Sequence, residues 1–129
     1  MGTSDGDLTL KVRGQAIEGW TDVQVTMGVE RCPNDFKLSL TEKFPSSGKE
    51  GPRSVLCNPG DACTVLLGGD VVVTGYIDRY NPSIDARQHM IGIVGRGKCQ
   101  DLVDCSVEWQ NMQVANCDVL AIAKKLAAP

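Results

Sequence analysis

Apolar and polar residues alternate along most of this chain with the period of two that a β-strand imposes on its side chains. Leu8, Leu10 and Val12 alternate with Thr9 and Lys11, which predicts a strand over Leu8–Val12 closed by a turn at Arg13-Gly14. After Ile17 and Trp20, residues 21–30 carry Val23, Val25, Met27 and Val29 on one face and Asp22, Gln24 and Thr26 on the other. Cys32-Pro33-Asn34-Asp35 breaks that run, because proline lacks a ladder donor and Asn-Asp favours turns. A further strand is expected over 36–41, with Phe36, Leu38 and Leu40 inward and Lys37, Ser39 and Thr41 outward.

The pattern then lapses. Residues 43–54 are rich in Pro, Ser, Gly, Lys and Glu and read as a mobile surface loop. Strands are expected again over 63–67 and 71–78, joined by Gly68-Gly69-Asp70, whose glycines suit a tight hairpin. Both faces of 71–78 carry apolar residues, which implies a sandwich or a closed barrel. Asn81-Pro82-Ser83 reads as a turn, and residues 89–95 as the return strand with Ile91 and Ile93 on one side. The period changes near the C-terminus: residues 101–105 suit one helical turn, and 118–128 a helix. Val119, Ile122, Ala123 and Leu126 make its apolar stripe, Asn116 or Asp118 its cap, and Lys124 and Lys125 its favourably charged end.

The expected fold is therefore mainly β with a C-terminal helix, an antiparallel sandwich or closed barrel in a single domain, since 129 residues suffice for one core. Its boundaries are a frayed terminus over 1–6, a β domain over 7–100, and a helical segment over 101–129 that leads into a further domain. Net charge −3 argues against holding nucleic acid by phosphate neutralisation, for which Arg96 and Lys98 are too few. No run of about 18 apolar residues could span a bilayer, and MGTSDGDLTL has no secretion signal, so a cytoplasm is the expected compartment.

Candidate chemistry is sparse. Cys32, Cys57, Cys63, Cys99, Cys105 and Cys117 are dispersed without a C-x-x-C pair, and His89 is the only histidine, so the usual zinc spacings are missing. The cysteines read as reduced thiols, buried or partly buried. His89 with Cys99, Cys105 or a serine elsewhere, and the Asp101 and Asp104 pair, are the enzymatic combinations, and both read more simply as structural. Gly95-Arg96-Gly97-Lys98 lacks the spacing of either phosphate loop. It reads as a turn that frees Arg96 to reach a carboxylate, on a neighbouring subunit or in its own chain.

One resemblance spans nearly the whole chain. Residues 68–108, above all GRGKCQDLVDCS, together with IEGW (17–20), GVERCPNDF (28–36), LSLTE (38–42) and the terminal LAIAKKLAAP, resemble the Mu-type phage baseplate hub proteins. Residues 43–57 depart from that pattern. Members of that family are considerably longer, so the chain resembles their N-terminal part. The resemblance implies a β-barrel of the phage tail hub and tail tube kind, with no enzyme activity and no cofactor or metal. It implies a homotrimer in the full-length protein, joining the sixfold tail tube protein to the trimeric central spike protein among other baseplate proteins. DNA would pass through without specific binding, and no membrane insertion is implied. Location would be the virion tail baseplate, with the host cytoplasm during assembly. Arg96, Lys98, Asp101 and Asp104 are the expected subunit-interface residues. The alternatives are a spike-associated cell-wall hydrolase and a small standalone binding module.

Overall fold

A computed structural model describes residues 7–41, 57–108, 111 and 113–128. Seven strands form one antiparallel sheet: β1 (Leu8–Val12), β2 (Gln15–Ile17), β3 (Asp22–Thr26), β4 (Asp35–Thr41), β5 (Ala62–Leu67), β6 (Asp70–Ile84) and β7 (His89–Gly97). Two helices follow, α1 (Gln100–Asp104) and α2 (Val119–Ala127). The strand order is β2-β1-β5-β6-β7-β4-β3, and the sheet curls into a half-barrel. The expected barrel is thus present as a curled antiparallel sheet, and among the described residues no strand closes β2 against β3. The expected loop over 43–54 lies outside the described residues.

Alternation builds the core as the sequence leads one to expect. Leu8, Leu10 and Val12 of β1, Phe36 and Leu38 of β4, and Cys63 and Val65 of β5 are buried. Val73 and Ile77 of β6 and Ile91 and Ile93 of β7 complete that surface, joined by Cys57. Each fully buried aliphatic or aromatic side chain contributes roughly 1.5–3 kcal/mol of transfer free energy. The second face of β6 is not equally covered: Val72 and Tyr76 are half-buried and Thr74 is exposed. Apolar residues on both faces of a strand therefore did not require a second sheet here, because the curled sheet encloses only one of them.

Three local features differ from the sequence expectation. First, β6 runs straight through Asn81-Pro82-Ser83, where Pro82 stands opposite Ile91. Its pairing with β5 ends at Tyr76, and Ile77 makes the next bonds on that side, to Gly60 and Asp61; Pro82, farther along, is paired in the sheet with β7 alone and can be held there. The reversal comes later, where Asp85 N donates to Gln88 O and Gln88 N to Asp85 O, at 2.8 and 3.3 Å. Second, β3 stops at Thr26, leaving Met27 and Val29 exposed beyond it. Third, the short strand β2 follows the Arg13-Gly14 turn and pairs with β1 through Val12 and Gln15. The Gly68-Gly69 turn matches expectation, with φ of 59° and 100°, values that favour glycine.

Gly95 and Gly97 do not form the expected turn either; both are buried within β7, and the chain turns at Lys98 and Cys99. Gly95 stands opposite Phe36 on β4 and Ile77 on β6. A Cβ at this position would overlap the Phe36 ring edge and come within 2.7 Å of Tyr76 O. Here glycine supplies room for the ring rather than a positive φ. Gly92, three residues earlier, has no such neighbour: its nearest contact would be Asn81 O at 3.7 Å. Gly95→Ala is therefore expected to lower stability by about 2–3 kcal/mol, the range of overpacking, and Gly92→Ala by less than about 1 kcal/mol. Urea unfolding of the two variants distinguishes these outcomes, and equal losses would refute the role given to the ring contact.

Candidate functional site

Arg96 lies on the face of the sheet opposite the core and donates four side-chain hydrogen bonds. It stands on β7 between Tyr76 of β6 and Asp35 of β4. A register shift between Ile77 and Arg79 makes Asp78 the extra residue of a β-bulge, and such bulges re-aim side chains. Asp78 meets the guanidinium through Nε at 2.6 Å and Nη2 at 3.2 Å. From the other side Asp104 of α1 accepts from Nη1 at 3.1 Å and from Nη2 at 2.6 Å. One planar fork thus binds two carboxylates, each through two bonds, which is the geometry that distinguishes arginine from lysine.

Of the two partners the sequence left open for Arg96, the structure supplies the one within its own chain. The cation ties α1 to the bulge on β6. Hydrogen bonds to Asp104 first, and to Asp78 second, hold the Arg96 proton more firmly than usual, and the same bond lowers the Asp104 carboxyl below its ordinary range. Lys98 and Asp101 are exposed beside this group. Lys98 N donates to Thr74 O at 3.0 Å, while its side chain lines a cleft of about 250 Å³ with Lys11, Arg13 and Thr64. Arg13 in that cleft is paired with Asp61 at 2.8 Å. The four residues singled out from sequence therefore lie together at one end of β7, two of them joined through Arg96.

The enzymatic combinations are separated by the fold. His89 opens β7 opposite Ile84, whereas Cys99 lies beyond the far end of that strand, about 25 Å away at the rise of an extended chain. Asp104 of the acidic pair is engaged by Arg96, and Asp101 is exposed. No group of three or more His, Cys, Asp or Glu side chains able to hold a metal occurs among the described residues. Only Cys57 and Cys63 are buried, contrary to the expectation for all six thiols; Cys32, Cys99, Cys105 and Cys117 are exposed because they lie on turns and the C-terminal segment.

What sequence reasoning missed is the position of the sheet edges. β2 and β3 are the two outermost strands, and β3 exposes Val23, with Met27 and Val29 following it. The C-terminal segment likewise exposes Leu102, Val103, Val107, Val119 and Leu120. Period-two patterning marked β3 as a strand, yet nothing in a strand's own residues says whether both of its neighbours are present.

The family model for the N-terminal domain of the Mu phage baseplate assembly protein GpP-like proteins matches residues 7–97, all seven strands. The chain belongs to this family. It is 34% identical over 122 residues to the baseplate hub protein gp44 of Escherichia phage Mu, covering 95% of this chain and 31% of that protein. The crystal structure of the 43 kDa tail protein of prophage MuSo2 from Shewanella oneidensis superposes with a TM-score of 0.82 at 35% identity, over 93% of this chain and 36% of that one. A tail protein from Neisseria meningitidis MC58 shares the fold, with a TM-score of 0.74 at 22% identity over 94% and 32% of the two chains. The chain thus spans about a third of the length of these relatives. Residues 98–128, which hold Asp101, Asp104 and both helices, lie beyond the part matched by the family model.

The Arg96 fork makes the position of α1 depend on an ionised Asp104. A carboxyl whose folded pKa is depressed contributes to the folded state above its unfolded value and loses that contribution as pH falls through the folded pKa. Side-chain carboxyl NMR should show Asp104 titrating below 3.8. Arg96→Ala should return that midpoint to the ordinary carboxylate range; an unchanged midpoint would show that the fork does not set it.

Proposed function

We propose that this chain is the first ring domain of a structural baseplate hub, one that helps join a sixfold tail tube to a trimeric central spike and catalyses no reaction. The observation that carries this reading is that β2 and β3 stand, among the described residues, as outer strands of the sheet, each unpaired on its outer side, in a member of a baseplate assembly family. An exposed strand presents unpaired main-chain donors and acceptors, and a neighbour that supplies a strand satisfies them. A ring of such domains, each closing the edge of the next, leaves no edge over. The exposed Val23 and Met27 along β3 would be covered by the same contact.

The charge of the chain suits that placement. Net charge −3 disfavours adhesion of a DNA strand passing through a ring, since like charges repel over a Debye length of roughly 8 Å. Lys98 and Asp101 are the interface residues that this reading leaves exposed, while Arg96 and Asp104 contribute by holding α1 in place. The apolar residues of α1 and α2 would then face a following domain or a neighbouring subunit.

The reading predicts a trimer for the full-length gene product and a monomer or weak oligomer for residues 1–129 in dilute solution. Val23→Lys puts a charge on the β3 edge, a substitution that blocks edge pairing. In the full-length protein it should abolish the trimer by light scattering at micromolar concentration, and in residues 1–129 it should leave the melting profile nearly unchanged. Arg96→Ala should weaken assembly more than folding. A monomeric unmodified protein, or a Val23→Lys trimer of undiminished stability, would count against edge-mediated assembly.

A further inference from the structure

The β3–β4 turn and the β7–α1 turn meet at one end of the sheet. Gly97 N donates to Asn34 O at 2.8 Å, a main-chain bond that joins the two turns, while Lys98 N donates to Thr74 O of β6 at 3.0 Å and fixes the second turn to the sheet. Cys32 lies on the first turn and Cys99 on the second, 67 residues apart in sequence. Cys32 Sγ is 3.8 Å from Cys99 O, which brings the first thiol against the main chain of the second cysteine. Both residues are exposed, and both line one cleft of about 280 Å³. Cys99 occupies the position before α1 without capping it through its side chain, and neither cysteine belongs to the apolar core.

We propose that Cys32 and Cys99 are a dithiol site that closes to an intrachain disulfide on exposure to a disulfide oxidant such as oxidised glutathione. The other neighbouring pair, Cys57 and Cys63, serves as the contrast. Both are buried, and burial, the largest cause, pushes each thiol up to about 11, so they stay protonated and shielded from an oxidant. Cys32 also holds its proton more firmly than usual, through desolvation and then its neighbour Cys99, which fits the resolving rather than the attacking role.

The exchange balances without a further reagent. The Cys99 thiolate attacks one sulfur of oxidised glutathione, forming a mixed disulfide and releasing one glutathione thiolate. Cys32 then gives up its proton and attacks the Cys99 sulfur, expelling the second glutathione. One protein disulfide forms, one glutathione disulfide is reduced, and the two protons lost by the protein end on the two glutathione thiols. The product would tie the start of α1 to the β3–β4 turn, while Arg96 holds the far end of the helix through Asp104. This inference is independent of the hub reading, because it concerns the isolated chain.

Cleavage before aspartate separates the thiols, leaving Cys32 in residues 22–34, Cys99 in 85–100, and Cys105 with Cys117 in 104–117. After incubation with oxidised glutathione and alkylation, mass spectrometry should find 22–34 joined to 85–100. The cross-linked chain should melt about 10 °C higher, in line with closure of a loop of this length. Reductant should reverse the shift, and Cys32→Ser should abolish both the linked peptide and the shift. A persistent glutathione adduct on Cys99, linkage to 104–117 instead, or disulfide-bonded dimers would each overturn the proposal.

Discussion

The Phe36 ring lies against bare backbone at Gly95, and much of the domain depends on that contact. It brings β4 and β7 together over the middle of the core, where Leu38 meets Ile93 in the next apolar pair of the register. On the other side of β7, Ile77 stands opposite the same glycine. Three strands therefore converge where one side chain is missing. The next residue of β6, Asp78, is the bulge, so the strand changes register one step beyond the tight contact. Bulges increase local twist, and a twisted long hairpin is what lets a single sheet wrap its own apolar face.

The same geometry produces the polar site. Because side chains alternate, Arg96 follows Gly95 on the opposite face, and the bulge turns Asp78 toward it. A one-residue difference in β6 would aim that carboxylate elsewhere. Core packing and the Arg96 fork are thus two faces of one register, which explains why a basic residue sits between two buried glycines. Lys98 and Cys99 then turn the chain out of the sheet, and Asp104 returns to the guanidinium one helical turn later.

Much of this was legible in the residues. Alternation located the buried positions of β1, β4 and β7, since a half-buried strand must display its core face at every second residue. Asp118 was one of two residues expected to cap α2, and it accepts from Ala121 N at 2.8 Å. What escaped had a common cause: it is set by neighbours distant in sequence. Pro82 forms a turn on local propensity, yet β6 accommodates it because β5 has already ended. Gly95 and Gly97 suggest a turn on local propensity, yet both lie within β7, and at Gly95 the Phe36 ring of β4 requires the small size. The Arg96 partners were narrowed to a carboxylate by charge, while the choice of Asp78 depended on a bulge that no local signal marks.

The two open edges bear on function through the same reasoning. A curled sheet that stops short of closure exposes main-chain groups and the flank of its core at each outer strand, and β3 leaves Val23 exposed there. A protein that functioned alone would be expected to blunt such an edge with charge, proline or a covering element. β2 meets that expectation by being only three residues long, whereas β3 carries Val23 and Val25 beside Asp22. The two outer strands thus differ in length and residue character, so a contact that joined β2 of one copy to β3 of the next would be heterologous, the kind that can close into a ring. In such a contact the Phe36–Gly95 packing, which fixes β4 against β7, would set the direction in which β3 faces its neighbour.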